Sequence, residues 1–236
     1  MRTLVFDIET IGEDFDSLDQ ASQHVLTRWI KEQAINDEEK YQQSLTTLKN
    51  GLGFSPLTGC IVAIGMYDPA RERGAVYYQA PGVVVHDHER DGFKYMARTE
   101  QEMLRVFWSI VAQYDEFVTF NGRSFDVPFL MVRSLVHRLR PSKNLVSQRY
   151  LDKQMRGARH IDLCDQLSFY GAVWKKPSLH LVCRALGIPS PKTQGVTGED
   201  VAHLFRTKEY QALAWYNARD VLATSEIFTR WGEILR

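Results

Sequence analysis

The chain has 236 residues, 44% hydrophobic and 11% aromatic, enough to bury a substantial core and too apolar for a disordered or fibrous polypeptide. Its 29 Lys/Arg balance 29 Asp/Glu, which argues against a protein that coats duplex DNA through a generally basic surface. No apolar run reaches membrane-spanning length and no basic leader precedes a long apolar stretch, so the expectation is a cytoplasmic protein with no membrane contact.

In chain order, residues Thr3 to Thr10 read as a short apolar strand that carries two acids, Asp7 and Glu9. Side chains two apart on a strand share a face, so both carboxylates point the same way while Phe6 and Ile8 pack on the other side. Residues 14–49 are polar and acidic with apolar positions at three-to-four spacing, and predict two or three helices. Gly51, Gly53, Pro56 and Gly59 end that pattern. Cys60 to Tyr67 and Ala75 to Gln79 then read as an antiparallel hairpin turned at Asp68-Pro69. Pro81 to Phe93, with His86 and His88, reads as a polar loop. Thr99 and Glu102 form a capping box that opens a helix. A strand at Glu116 to Phe120, a helix from about Pro128 to Leu139, a basic connection and a strand at His160 to Leu163 follow. Helices are expected at about 165–173, 178–186, 198–206 and 209–234. This order implies a mixed α/β sheet and one domain over 1–236.

Cys60, Cys164 and Cys183 lie far apart among apolar neighbours, without C-x-x-C spacing, and read as buried free thiols of a reducing compartment. Charge is unevenly spread: residues 1–50 hold five Lys/Arg against ten Asp/Glu, whereas residues 121–192 hold thirteen against four. Solvated faces explain this; so does an acidic metal centre beside a basic track for a polyanion.

Three segments carry candidate chemistry. Asp7-x-Glu9 alone is compatible with solvated acids at a strand end. Asn121-Gly122-Arg123-Ser124-Phe125-Asp126-Val127-Pro128 places an acid at a strand-to-helix junction, where it either caps the helix or does chemistry. Tyr216 and Asp220 are four apart, on one face of the last helix, and Asp is a modest helix former beside Val221 and Leu222.

Together and in this order, the three motifs resemble the DEDD superfamily of 3′-5′ exonucleases in its tyrosine-containing branch (DEDDy), most of all the proofreading exonuclease domain of family B DNA polymerases. The resemblance covers nearly the whole chain. It implies a ribonuclease H-like α/β fold with a central mixed sheet of about five strands flanked by helices. Asp7, Glu9, Asp126 and Asp220 would then hold two divalent cations, Mg²⁺ or Mn²⁺, since oxygen-only ligands suit hard ions. Tyr216 would orient the attacking water. Ile8, Thr10 and Ile11 would meet the terminal nucleotide, and Asn121 and Phe125 would flank it by hydrogen bonding and stacking. Asp162 is a candidate accessory acid, and Arg123, Arg159, Lys175, Lys176 and Lys192 are candidate phosphate contacts.

The implied activity is removal of nucleoside 5′-monophosphates from single-stranded DNA or unpaired 3′ ends, with DNA favoured over RNA. A 3′-5′ exoribonuclease, or a non-catalytic nucleic-acid-binding scaffold of the same fold, are the alternatives. A scaffold has no need for four mutually repelling acids. The helical insertion at about 14–50 departs from the family pattern; its acidity makes it a poor nucleic-acid surface and a candidate contact for a protein partner. The chain ends sixteen residues after Asp220, so any proofreading is expected to act in trans.

Overall fold

The computed structural model describes residues 1–35, 37–173, 175–190 and 200–236. Its strands are β1 (Thr3–Gly12), β2 (Gly59–Asp68), β3 (Arg73–Tyr78), β4 (His88–Arg90), β5 (Phe93–Ala97), β6 (Glu116–Thr119) and β7 (Arg159–Asp162). Among the described residues these form one seven-stranded sheet in the order β4-β5-β3-β2-β1-β6-β7. The neighbours of β1 are antiparallel β2 and parallel β6, so the acid-bearing strand is central and the sheet is mixed.

About five strands were expected, and the difference lies in β4 and β5, within and just beyond the segment read as a loop. Arg90 and Phe93 pair across the two-residue turn Asp91-Gly92, whose φ angles are 52° and 76°. Asp-Gly with both residues left-handed is the favoured tight hairpin turn. Phe93 and Tyr95 then bury against the sheet, and Phe93 stacks on Tyr67 with ring centroids 5.5 Å apart.

The helices are α1 (Gln20–Gln33), α2 (Glu38–Gly51), α3 (Glu100–Val111), α4 (Asp126–Val136), α5 (Leu163–Leu167), α6 (Leu179–Leu186), α7 (Val201–Arg206) and α8 (Tyr210–Ile234). The start of α3 shows the expected capping box between Thr99 and Glu102. Pro128 falls in the first turn of α4, where its missing N–H costs no intrahelical bond. Alternation along β1 separates two cores. Val5 belongs to the cluster under α7 and α8, while Leu4, Phe6 and Ile8 belong to the cluster under α3 and α4.

Residues 14–50 form α1 and α2 with a short 3₁₀ turn before them. This insertion buries little: among its described residues, Phe15 in the 3₁₀ turn, Thr27 and Ile30 in α1, Ala34 just after it, and no residue of α2. It rejoins the sheet through a 3₁₀ turn, Leu52–Phe54, where the Thr10 hydroxyl donates to Gly53 O at 2.7 Å. Among the described residues, no helix is long and apolar enough to cross a membrane.

Candidate active site

The site forms where β1 outruns its parallel neighbour. The β6 strand pairs with β1 through Thr3, Leu4 and Val5 and ends at Thr119, leaving the stretch from Asp7 to Glu9 without a strand on that side. Asp126, at the first position of α4, takes the strand's place there: its Oδ1 accepts from Ile8 N at 3.1 Å. Asn121 turns the chain out of β6 with a φ of 67°. Asp162, at the end of β7, fixes this turn by accepting from Asn121 N at 2.7 Å, Arg123 N at 3.0 Å and Cys164 N at 2.9 Å. Asp162 is therefore a brace for the turn, and its oxygens are committed to backbone donors.

From the opposite side of the cleft, α8 crosses β1, β2 and β3. It presents Tyr216, Asn217 and Asp220, all buried, on one face. Asp7, Glu9 and Asp220 each offer a carboxylate oxygen, and the three oxygens lie within 4.8 Å of one another. Asp126 stands beside this trio and outside it. It is still close enough that its charge raises the pKa of Asp7 more than Glu9 does.

Asp7, half-buried, and Glu9, buried, are both held well above the usual carboxylate range, first by desolvation and then by neighbouring carboxylates. What opposes this on both acids is a neutral group, the Asn217 amide, whose Nδ2 donates to Asp7 Oδ2 at 2.8 Å. Asp126 is raised to about 7, chiefly by burial. The Tyr216 hydroxyl is pushed far up by burial, then by the charges of Asp220, Glu9 and Asp7, and hydrogen-bonds to Asp220. It keeps its proton at any physiological pH. A cluster of carboxylate oxygens that repel one another is the donor set of a hard divalent cation; three such residues within reach of one point fit an ion of that class.

A cleft of about 320 Å³ opens over Asp7 and Asp220, lined also by Phe120, Asn121, Lys176 and Pro177. Asn121 thus lines the cleft, and its Oδ1 is buried without a hydrogen-bond partner. Phe125 is half-buried between Phe129, at 5.6 Å, and the exposed Phe54, at 6.4 Å in an edge-on arrangement. Ile11 is partly buried against the core on the acid-bearing face.

One expected substrate contact is corrected. Ile8 is 4% exposed and packs in the core on the face opposite the acids, as strand alternation requires, so its side chain does not reach a terminal base. The Thr10 hydroxyl donates to Gly53 O and keeps its lone pairs to accept. Among the basic candidates, the Arg123 guanidinium donates to Leu145 O and Val146 O. Arg159 stands 4.0 Å from Glu116. Lys175 and Lys176 are exposed, Lys176 at the cleft, and Lys192 lies outside the described residues. Sequence reasoning missed Asn217. Its only signal was an amide inside an apolar helix between Tyr216 and Asp220.

No curated protein matches this chain. Among solved structures, the family B DNA polymerase from the hyperthermophilic archaeon Pyrobaculum calidifontis is similar in fold. The TM-score is 0.55 at 16% identity, over 98% of this chain and 25% of that one. The chain thus spans about a quarter of the polymerase's length, and the likeness supports the ribonuclease H-like α/β architecture expected from the motifs. Residues 83–234 match the family described as a predicted 3′-5′ exonuclease related to the exonuclease domain of PolB. That stretch contains Asn121, Asp126, Tyr216 and Asp220 and begins after β1, so the fold itself brings Asp7 and Glu9 to the same point. The chain belongs to this family of predicted 3′-5′ exonucleases related to the exonuclease domain of PolB.

Proposed function

We propose that this chain is a metal-dependent 3′-5′ exonuclease that removes nucleoside 5′-monophosphates from single-stranded DNA or unpaired 3′ ends. The observation that carries the proposal is the approach of Asp7, Glu9 and Asp220 oxygens to within 4.8 Å of one another, with Asp7 and Asp220 lining a cleft. Asp7, Glu9 and Asp220, with Asp126 beside them, would hold two divalent cations, Mg²⁺ or Mn²⁺. Bound there, such ions supply activation of water and neutralisation of charge on the scissile phosphate and the leaving 3′ oxygen.

The remaining work falls to the protein's own groups. The Tyr216 hydroxyl keeps its proton and hydrogen-bonds to Asp220; its oxygen lone pair is free to accept from the attacking water and so to align it. Positioning is its role, since a group that does not ionise is a poor base. Asn121 lines the cleft, where its side chain would flank the terminal nucleotide. The Phe125 ring, with Phe54 edge-on beside it, offers an aromatic face to a base of any identity. Lys176 brings a point charge for phosphate oxygens to the rim. One continuous sheet from Thr3 to Asp162, with α8 returning across β1, supports reading residues 1–236 as one domain.

The test is incubation of 5′-labelled single strands, as DNA and as RNA, with Mg²⁺ or Mn²⁺, beside Asp7→Ala and Asp220→Ala. The expected result is a descending ladder on DNA that both variants lack. A strand left intact with either metal overturns the activity, and a ladder confined to RNA moves the substrate to RNA.

A further inference from the structure

Asp7 on β1 and Gly65 on β2 are directly opposed in the antiparallel register. Opposed residues point to the same face of a sheet, so both positions face α8. A Cβ built on Gly65 would fall 2.3 Å from Asn217 Oδ1 and 2.9 Å from Val221 Cγ2. The Asn217 carboxamide therefore occupies the volume that any larger residue at position 65 would claim. Asn217 is fully buried, and with its Oδ1 over the glycine its Nδ2 meets Asp7 Oδ2 at 2.8 Å.

The two ends of this amide are treated unequally. Nδ2 has the carboxylate, whereas Oδ1 is buried with no hydrogen-bond partner. Reversing the amide would set two oxygens against each other at Asp7, so the acid fixes which way the amide lies. A buried acceptor without a donor is unusual in a native protein and calls for an explanation. An apolar side chain of similar size would fill the space without leaving that oxygen orphaned, but it would give the acids no donor. What the amide alone provides is an N–H that restrains Asp7 through one oxygen and leaves the other available.

We infer that Asn217, seated on Gly65, is a positioning residue that sets the Asp7 and Glu9 carboxylates for cation binding, so that a glycine with no ligand atom is a structural requirement of the metal centre. The inference rests on the metal-centre reading of the site given above. Groups that orient ligands from behind change metal affinity by about 10- to 100-fold when removed.

The experiment is titration of the whole chain with Mn²⁺ alone, followed by electron paramagnetic resonance of the free ion, with unfolding midpoints of the metal-free proteins measured in parallel. Asn217→Ala, which keeps a strong helix former in α8, is expected to weaken Mn²⁺ binding by roughly 10- to 100-fold. Gly65→Ala is expected to do the same, although it removes no ligand. The double variant is expected to bind no more weakly than Asn217→Ala, because both changes remove the same amide from its place. If Gly65→Ala alone does not fold, Asn217→Ala decides. An Asn217→Ala protein with wild-type Mn²⁺ affinity overturns the positioning role while leaving the metal centre intact. Additive losses in the double variant overturn the link to Gly65. A wild-type chain that binds no Mn²⁺ overturns the metal centre and the positioning role together.

Discussion

Two groups of buried acids flank the same strand pair, and they are built in opposite ways. At the start of α3, Glu100 accepts from Ile61 N at 2.8 Å, from Arg133 Nε and Nη2 at 2.9 and 2.8 Å, and contacts His137 Nε2 at 2.7 Å. Its pKa is lowered even though burial acts to raise it. On the other face, Asp7 and Glu9 are raised well above the carboxylate range, first by burial and then most by the charge of Asp126 on Asp7 and of Asp220 on Glu9, with a neutral amide as the opposing influence. An acid buried to hold a fold together is given its donors and counter-charges by the chain. Acids set side by side leave a charge for a ligand to neutralise, and this contrast is the ground for proposing the second group as the functional one.

The sharpest way to break that comparison is to remove one acid or one base from each side. Asp7→Ala or Asp220→Ala is expected to lower the cleavage rate by roughly 10³-fold or more, several kcal/mol of transition-state stabilisation, while the protein stays folded. A gel assay and circular dichroism on the same preparations check both halves. Arg133→Ala should do the reverse. It strands Glu100 without its main counter-charge and is expected to cost about 3–5 kcal/mol of stability, read from urea unfolding, with the ladder retained by whatever fraction remains folded.

His160 sharpens the contrast through pH. Buried between Leu145 O and Thr119 Oγ1, it is held neutral, with a pKa lowered to about 3, chiefly by burial. The unfolded chain binds a proton below about pH 6.5 that the folded chain refuses. This contribution is therefore fully present above pH 6.5 and is lost as pH falls toward 3, at a rate approaching about 1.4 kcal/mol per pH unit. Urea midpoints at pH 7 and pH 5 should show the loss, and His160→Gln should flatten it. The smallest effect has the opposite sign. Asp7, Glu9 and Asp126 have raised pKa values in the fold, so in the metal-free protein they penalise folding most at high pH and less as they take up protons. Asp7→Asn is expected to raise the unfolding midpoint of the metal-free protein at pH 8, with the gain shrinking toward pH 4. A midpoint that falls at pH 8 would mean that Asp7 has a compensating partner after all.

What the sequence by itself determined was whatever depends on near neighbours. The two-residue period of a strand puts Asp7 and Glu9 on one face. The four-residue spacing in a helix does the same for Tyr216 and Asp220, and Thr99 with Glu102 announces α3 because a capping box is local chemistry. Asp91-Gly92 is a turn signal of the same local kind, but the polar composition around it makes Pro81 to Phe93 read as a loop and hides β4 and β5. The tertiary structure decided the rest. It joined the Thr10 hydroxyl to Gly53, turned Asp162 into a brace, and placed Asn217 against Gly65, 152 positions away in the chain. No spacing encodes those contacts, because they arise only when α8 packs across β1 and β2 and two distant segments compete for the same few ångströms of buried space.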